Sequence, residues 1–383
     1  MLEWIFWIAL LLGVYPYALY PIAVRWVGRL RSRAIAASDE HLPRVTVITA
    51  AFNEAAHIEA TVRNKLRQDY PPERLDIIVV SDESMDGTDE IVAGIAAQDG
   101  RVRLIRQTPR QGKTAGLNLA VPEARGDVVV FSDANSIYRP DTIRKLVRNF
   151  ADPGVGYVTG MMIYVNPDGS MVGDGCSAFM RYENALRAAE TRIGSVVGVD
   201  GGVDAVRRTL YRPMRADQLP DFVLPLSVVE QGYRVVFEPD AHLTEDALSS
   251  GASEYRMRVR VALRALWALW DKRALLNPFN SGVFAWQLWS HKLLRYLSFL
   301  PLAIAVILNW WLLSAGWIYR AGLAGQIVFA LFVATSIAGP RAIGQSTLGR
   351  YCFYFALLNW ASAVAFTRFL RGQKQVLWQP RVG

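Results

Sequence analysis

Cysteine is nearly missing from this chain. Its 383 residues hold two, Cys176 and Cys352, without the close spacings that bind zinc or staple a small secreted domain. A reducing cytosolic setting fits the polar part of the chain. Charge is sparse as well: 20% of residues are charged against 52% apolar, a balance too apolar for a wholly soluble protein. Glycine is missing where a dinucleotide would need it. The first predicted strand leads into Ala51-Phe52-Asn53-Glu54 rather than G-x-G-x-x-G, and Gly154-Val155-Gly156 with Gly160 precedes a strand instead of following one. No P-loop lysine signature occurs either. These absences argue against a nicotinamide oxidoreductase and against an ATPase. No nucleic-acid recognition motif accompanies the net charge of +8, so DNA and RNA are not expected partners.

Long apolar runs are what the chain has instead. Trp4 to Val24 is uncharged and long enough to cross a bilayer. A signal peptide is the rival reading, but the positive n-region is missing and Pro16 and Pro21 interrupt the run. Arg25, Arg29, Arg31 and Arg33 follow and place the next segment on the cytoplasmic side of the cell membrane. Further runs at Leu297–Ile318, Leu323–Ala338 and Tyr351–Phe366 predict a multi-pass protein, with Trp310, Trp311 and Trp317 at an interface. Between Arg256 and Arg295 stand eight basic residues and one acid, Asp271. Arg256, Arg260 and Arg264 recur every four residues, the pattern of an amphipathic helix on anionic membrane lipids. One helix in and three out would leave the basic tail outside, against the positive-inside rule. One of the C-terminal runs is therefore expected to be interfacial or re-entrant.

The middle alternates strand and helix patterns, which predicts an α/β domain with a mostly parallel sheet. Val45–Ala51, Leu75–Val80, Val102–Ile105 and Val128–Asp133 read as strands, separated by helices near 55–66, 86–97 and 114–120. The last strand ends on Asp133-Ala134-Asn135. Carboxyl ends of strands are where open α/β sheets bind ligands, and two hard oxygens there suit a divalent cation. A polar turn opening the next helix is the bland alternative.

The motifs in this order resemble a membrane-integrated family 2 glycosyltransferase. The segments are Ala51-Phe52-Asn53-Glu54-Ala55, Val80-Ser81-Asp82-Glu83-Ser84-Met85-Asp86-Gly87-Thr88, Gly112-Lys113-Thr114-Ala115-Gly116-Leu117-Asn118, and Phe131-Ser132-Asp133-Ala134-Asn135. Val199-Asp200-Gly201-Gly202-Val203-Asp204-Ala205-Val206-Arg207-Arg208 and Pro220-Asp221-Phe222-Val223-Leu224, then Gly232-Tyr233-Arg234, complete the series. The resemblance implies a GT-A-type, Rossmann-like nucleotide-sugar domain flanked by N- and C-terminal transmembrane helices, and inverting transfer from a nucleotide-diphosphate sugar, a UDP-sugar in the first instance. The implied layout is a transmembrane helix and basic linker over 1–41, the cytosolic domain over 42–250 and interfacial helices over 251–296. About three transmembrane helices over 297–371 and a basic tail over 372–383 follow. The implied acceptor is lipid-linked or a growing surface glycan.

The resemblance also distributes roles. Ala51, Phe52 and Glu54 would frame the base and Asp82 would accept a hydrogen bond from it, although Ser81 replaces the first of the family's two adjacent acids. Lys113 would meet the diphosphate. Asp133 and Asn135 would hold Mg2+ or Mn2+, with Asn in place of the second acid. Asp221 would be the base; an N-cap of the following helix is its bland reading. Gly201 and Gly202 would let backbone approach the sugar or acceptor, with Asp200 as a hydroxyl ligand, or would simply make a tight turn. Thr244-Glu245-Asp246 spells a base motif of cellulose-synthase-like enzymes but follows the Val235–Phe237 strand, so Glu245 reads as an acid near donor or acceptor. The Gln-x-x-Arg-Trp of processive synthases is degraded to Tyr255-Arg256-Met257-Arg258-Val259. Arg258 would keep its arginine, and Trp378 in the tail would supply an aromatic platform or an interface anchor. A processive polymer synthase and a non-catalytic subunit that keeps the fold are the alternatives.

Overall fold

The computed structural model describes residues 1–165, 174–246, 251–339 and 346–376. The chain opens with α1 (Leu2–Val14) and α2 (Leu19–Leu30). The expected span Trp4–Val24 is not one straight helix, since the two meet at 60°. Pro16 lies in the break, where it removes a backbone donor and clashes with the preceding turn. At ~1.5 Å per residue each piece is about 20 Å long, short of a ~30 Å hydrocarbon core.

The domain follows as β1 (Val45–Ala51), α3 (Ile58–Leu66), β2 (Leu75–Ser81), α4 (Thr88–Gln98), β3 (Val102–Arg106), α5 (Lys113–Ala120) and β4 (Val128–Asp133). Then come β5 (Ile137–Tyr138), α6 (Thr142–Val147), β6 (Val155–Val165), α7 (Asp174–Ile193), β7 (Asp204–Arg207), α8 (Pro220–Glu230) and β8 (Arg234–Asp246). The strands form one sheet in the order β3-β2-β1-β4-β7-β6-β8-β5. The β3-β2-β1-β4 half is parallel and β6 is parallel to β8, while β7 runs antiparallel to both its neighbours and β5 antiparallel to β8.

Every residue of β1 is buried, which is why its sequence is a continuous apolar run rather than an alternating one. Val47, Ile77 and Val130 pack under Ile58, Val62 and Ile143 on one face; Ile48, Ile78 and Val129 meet Leu117, Val223 and Ala265 on the other. Each such side chain contributes about 2 kcal/mol on burial. The second face thus reaches past the domain into α9 (Gly251–Asp271), the helix expected at the membrane surface.

Beyond it lie α10 (Pro278–Ser281), α11 (Val283–Leu297), α12 (Phe299–Trp311), α13 (Trp317–Ala338) and α14 (Thr347–Leu370). The run Leu297–Ile318 is divided between α12 and α13, and α11 and α12 bend by 55°. Among the described residues two helices, α13 and α14, are long and apolar enough to cross a membrane, or up to four spans exist if each bent pair counts as one. α1 packs on α12 through Phe6, Ala9, Ala305 and Leu308, and Gly13 leaves room for Leu302. Small residues at such a contact let two helices approach closely.

Candidate functional site

Three parallel strands finish side by side. Ala51 pairs with Ser81 and Ala50 with Asp133, so the turns after β1, β2 and β4 open on one edge of the sheet. Helix α5 begins at the same edge, with Gly112 as its cap at φ +91° and Lys113 as its first residue. The Lys113 ammonium lies 2.7 Å from Asp133 Oδ1 and 3.6 Å from Asp221 Oδ1. Asp221 arrives on the first turn of α8, behind Pro220. Proline at that position loses no helical hydrogen bond, and an acid there suits the helix dipole. Three side chains far apart in sequence therefore converge, and each keeps a fifth to a third of its surface exposed. Burial disfavours the Lys113 charge, but Asp133 and Asp221 outweigh it and raise the pKa above the ordinary lysine value.

Gly201 makes the seat for the Asp221 carboxyl. It sits at φ +92°, and a Cβ there would lie 2.8 Å from Asp221 Cγ. A side chain would both strain this backbone and collide with the carboxylate. Sequence reasoning assigned Gly201 a close approach to sugar or acceptor; the group that approaches it in the structure is Asp221. Gly202 is buried, and a Cβ on it would come within 3.0 Å of Ser136 Oγ and 3.2 Å of Glu245 Oε1.

The turn after β2 is built around Asp82. This carboxylate is 2% exposed and accepts from the backbone N–H groups of Gln111 at 2.9 Å and Gly112 at 3.1 Å. The side chains of Gln107 and Arg110 donate to it as well. Asp82 thereby fixes the loop that delivers Lys113, and its oxygens are engaged by protein donors rather than opened toward a base. Ala51 is buried, and its carbonyl accepts from the Asp82 N–H at 2.8 Å. The Arg110 guanidinium stacks 3.4 Å from the centre of the half-buried Phe52 ring. The Glu54 N–H donates to Thr88 Oγ1 at 2.9 Å and so ties the β1 turn to α4.

Asp133 and Asn135 are both half-buried at the end of β4. Among the described residues no three His, Cys, Asp or Glu side chains gather into a metal cage. One carboxylate and one neutral amide oxygen fit a hard cation that completes its shell with water and phosphate oxygens.

Other expected residues are placed differently. Asp200 is 6% exposed and paired at 2.5 Å with Arg187, itself equally buried, and it accepts from the Met162 N–H. Its carboxylate serves the junction of β6 and α7, which departs from the expected role as a sugar ligand. Glu245 lies within the long strand β8 at 2% exposure and accepts from Ser136 Oγ at 2.5 Å, so it sits beneath the edge. Arg258 joins Glu254, at 2.7 Å, and the Tyr354 hydroxyl, bracing α9 against α14. Trp378 lies outside the described residues.

Two neighbours of the site escaped sequence reasoning. Arg264 is 8% exposed and faces the α/β domain; it donates to Thr114 Oγ1 at 3.3 Å and to the Gln218 carbonyl. Burial lowers its pKa to about 10, with Asp221 acting in the opposite direction. The regular spacing with Arg256 and Arg260 concealed this; the apolar Ala262, Leu263, Ala265 and Leu266 around it were the available signal. The second is the stretch 373–376 after α14, where only the neighbouring Trp378 had been given a role. Trp267 Nε1 donates to the Gln373 carbonyl at 2.8 Å, Lys374 pairs with Asp217 at 2.7 Å, and the Val376 carbonyl lies 3.2 Å from where a Gly112 Cβ would be. The segment thus returns to the loop that precedes Lys113.

Comparison with known proteins agrees with this architecture. Residues 46–181 match the family model described as glycosyl transferase family 2. A probable glycosyltransferase of Bacillus subtilis is 26% identical over 236 residues, 58% of this chain and 55% of that protein. A beta-monoglucosyldiacylglycerol synthase of Trichormus variabilis is 27% identical over 169 residues, 44% of this chain and 36% of that one. The poly-beta-1,6-N-acetyl-D-glucosamine synthase of Staphylococcus aureus is 26% identical over 247 residues, 63% and 58% of the two. The chain therefore spans less than two thirds of the length of each of these relatives. A mannosyltransferase of Pyrobaculum calidifontis, solved with GDP-Man and Mn2+, superposes with a TM-score of 0.74 at 24% identity, covering 97% of this chain and 100% of that one. At that identity the likeness speaks for the fold. Residues 46–181 thus match a glycosyl transferase family 2 domain, and the chain folds on a GT-A-like α/β sheet with apolar helices attached.

Proposed function

We propose that the protein is an inverting glycosyltransferase that moves a sugar from a nucleotide-diphosphate donor to a lipid-linked or surface-glycan acceptor at the cytoplasmic membrane face. The observation that carries this reading is the convergence of Lys113, Asp133 and Asp221 on one partly open edge of the sheet. Asp221 takes the proton of the acceptor hydroxyl as its oxygen attacks the anomeric carbon from the face opposite the leaving group. The bond from that carbon to the diphosphate breaks, and the Lys113 ammonium meets the charge that develops there. Asp133 and Asn135 would hold Mg2+ or Mn2+, which when bound neutralises the departing diphosphate. Arg264 adds a buried positive charge behind Thr114 and Asp221.

The test is a screen of radiolabelled UDP- and GDP-sugars on the purified full chain in lipid, with product length and anomeric configuration analysed. One inverted sugar per acceptor is expected. A long polymer would favour the processive synthase, and neither transfer nor donor hydrolysis with any nucleotide sugar would favour the non-catalytic subunit.

The returning tail supports one topology. Contacts of Trp267, Asp217 and Gly112 with residues 373–376 favour an arrangement in which the tail and the domain lie on one side of the membrane. An even number of full crossings then separates them, which satisfies the positive-inside rule for Arg368, Arg371 and Lys374. In a cysteine-free background, Gln373→Cys and Arg125→Cys are expected to react with an impermeant maleimide from the same vesicle face. Labelling from opposite faces would refute the shared side.

A further inference from the structure

One acid beside the site has no part in the reaction just described. Asp204 opens β7, where it lies opposite Phe131 of β4 and Thr159 of β6, and it is fully buried. Its Oδ2 accepts from the Gly201 N–H at 3.0 Å, while Oδ1 is buried without a hydrogen-bond partner. Such an oxygen is costly in an interior, and a valine or threonine would suit this strand position better. The glycine it holds is the one against which the Asp221 carboxyl packs. Asp204 and Asp221 thus occupy two sides of a single left-handed residue.

We propose that Asp204 is a positioning residue for the transfer step, holding Gly201 at φ +92° so that this glycine forms the seat of the Asp221 carboxylate. The inference rests on the reading of Asp221 as the base. The charge state fits the geometry. Burial, then repulsion from Asp221, pushes the Asp204 carboxyl up to about 7. The groups that face it are Asp221 on α8, Asp200 on the adjoining loop, Tyr157 and Thr159 on β6, Tyr138 on β5, Lys113 on α5 and Arg187 on α7. Tyr157 and Thr159 ease its ionisation without completing a hydrogen bond to Oδ1. A proton on Asp204 keeps a second negative charge from forming behind the base, and the remaining oxygen still accepts from Gly201.

The experiment compares kcat, donor KM and thermal midpoint for the full chain in lipid. Asp204→Asn keeps an oxygen acceptor for the Gly201 N–H, and its kcat is expected within about fivefold of wild type. Asp204→Leu removes the acceptor, and kcat is expected to fall about 100-fold with donor KM within about twofold. Its thermal midpoint at pH 8 should be no lower than wild type, because a buried acid with one unsatisfied oxygen has been replaced by an apolar group of the same branched shape. A folded-state pKa above the unfolded value favours the fold below the unfolded pKa, and that advantage is lost as pH rises through about 7. The midpoint of wild type relative to Asp204→Asn should therefore decline between pH 5 and 8. Gly201→Ala, which perturbs the same seat with Asp204 intact, is expected to reproduce the kcat loss. The proposal is overturned if Asp204→Leu keeps kcat within threefold, if its kcat falls only in step with its thermal midpoint, or if Asp204→Asn is as inactive as Asp204→Leu. Normal turnover by Asp221→Asn would instead remove the underlying reading of the base, whatever the Asp204 variants do.

Discussion

Asp221→Asn is expected to lower kcat by about 10³-fold, within the range that a positioned general base contributes, while donor affinity stays within about twofold. The amide has the shape of the carboxylate and still offers an oxygen to Lys113, so the seat formed by Gly201 and the start of α8 need not move. What it cannot do is accept the acceptor's proton. The Lys113–Asp133 pair, at 2.7 Å, lies on the donor side and is untouched by the change. Steady-state kinetics together with calorimetric titration of the donor separate the two effects. Turnover within tenfold of wild type would remove Asp221 from the chemistry. A parallel loss of donor binding would mean instead that α8 had shifted.

Lys113→Ala should act on binding first. The ammonium stands between two carboxylates, and removing it leaves Asp133 and Asp221 facing each other without the cation that joins them. A donor diphosphate would then bring further negative charge into a site that has lost its balancing charge. Donor Kd is expected to rise about 100-fold, or about 2.7 kcal/mol, with kcat lowered as well because the leaving diphosphate loses the same contact. Lys113→Arg keeps the charge but replaces a compact ammonium with a planar fork, so a loss of about tenfold is expected. Calorimetry at fixed ionic strength decides it. A Kd for Lys113→Ala within threefold of wild type would show that the diphosphate is gripped elsewhere.

The two variants probe residues that the resemblance to family 2 glycosyltransferases singles out, each in a local setting that also has a bland reading. Asp133 ends a β-branched strand, Lys113 follows the glycine that opens a helix, and Asp221 follows the proline that opens another. Each position advertises itself through neighbours a few residues away. Arg264 shows where such reasoning stops. Its spacing with Arg256 and Arg260 is that of a solvated face, yet it is buried because α9 packs on the domain as well as on α14. Asp200 has the sequence setting of an open sugar ligand, but Arg187, thirteen residues back on α7, takes both of its oxygens. The long C-terminal runs have the composition of membrane segments, but the composition around Lys374 and Val376 gives no hint that they reach Asp217 and Gly112.

By itself the sequence determined β1 to β4 and the helices between them, the family to which the domain is similar, and a candidate ligand edge at the carboxyl ends of those strands. Hydrophobic period, turn residues and strand ends are short-range signals, written within about ten residues of where they act. Only the tertiary structure decided which acids stay open at that edge, that Asp204 lies behind Asp221, how Trp4–Val24 bends, and that the tail comes back to the domain. Those outcomes depend on which charge finds which partner across the fold, and burial makes such pairing compulsory without recording it in the local order of residues.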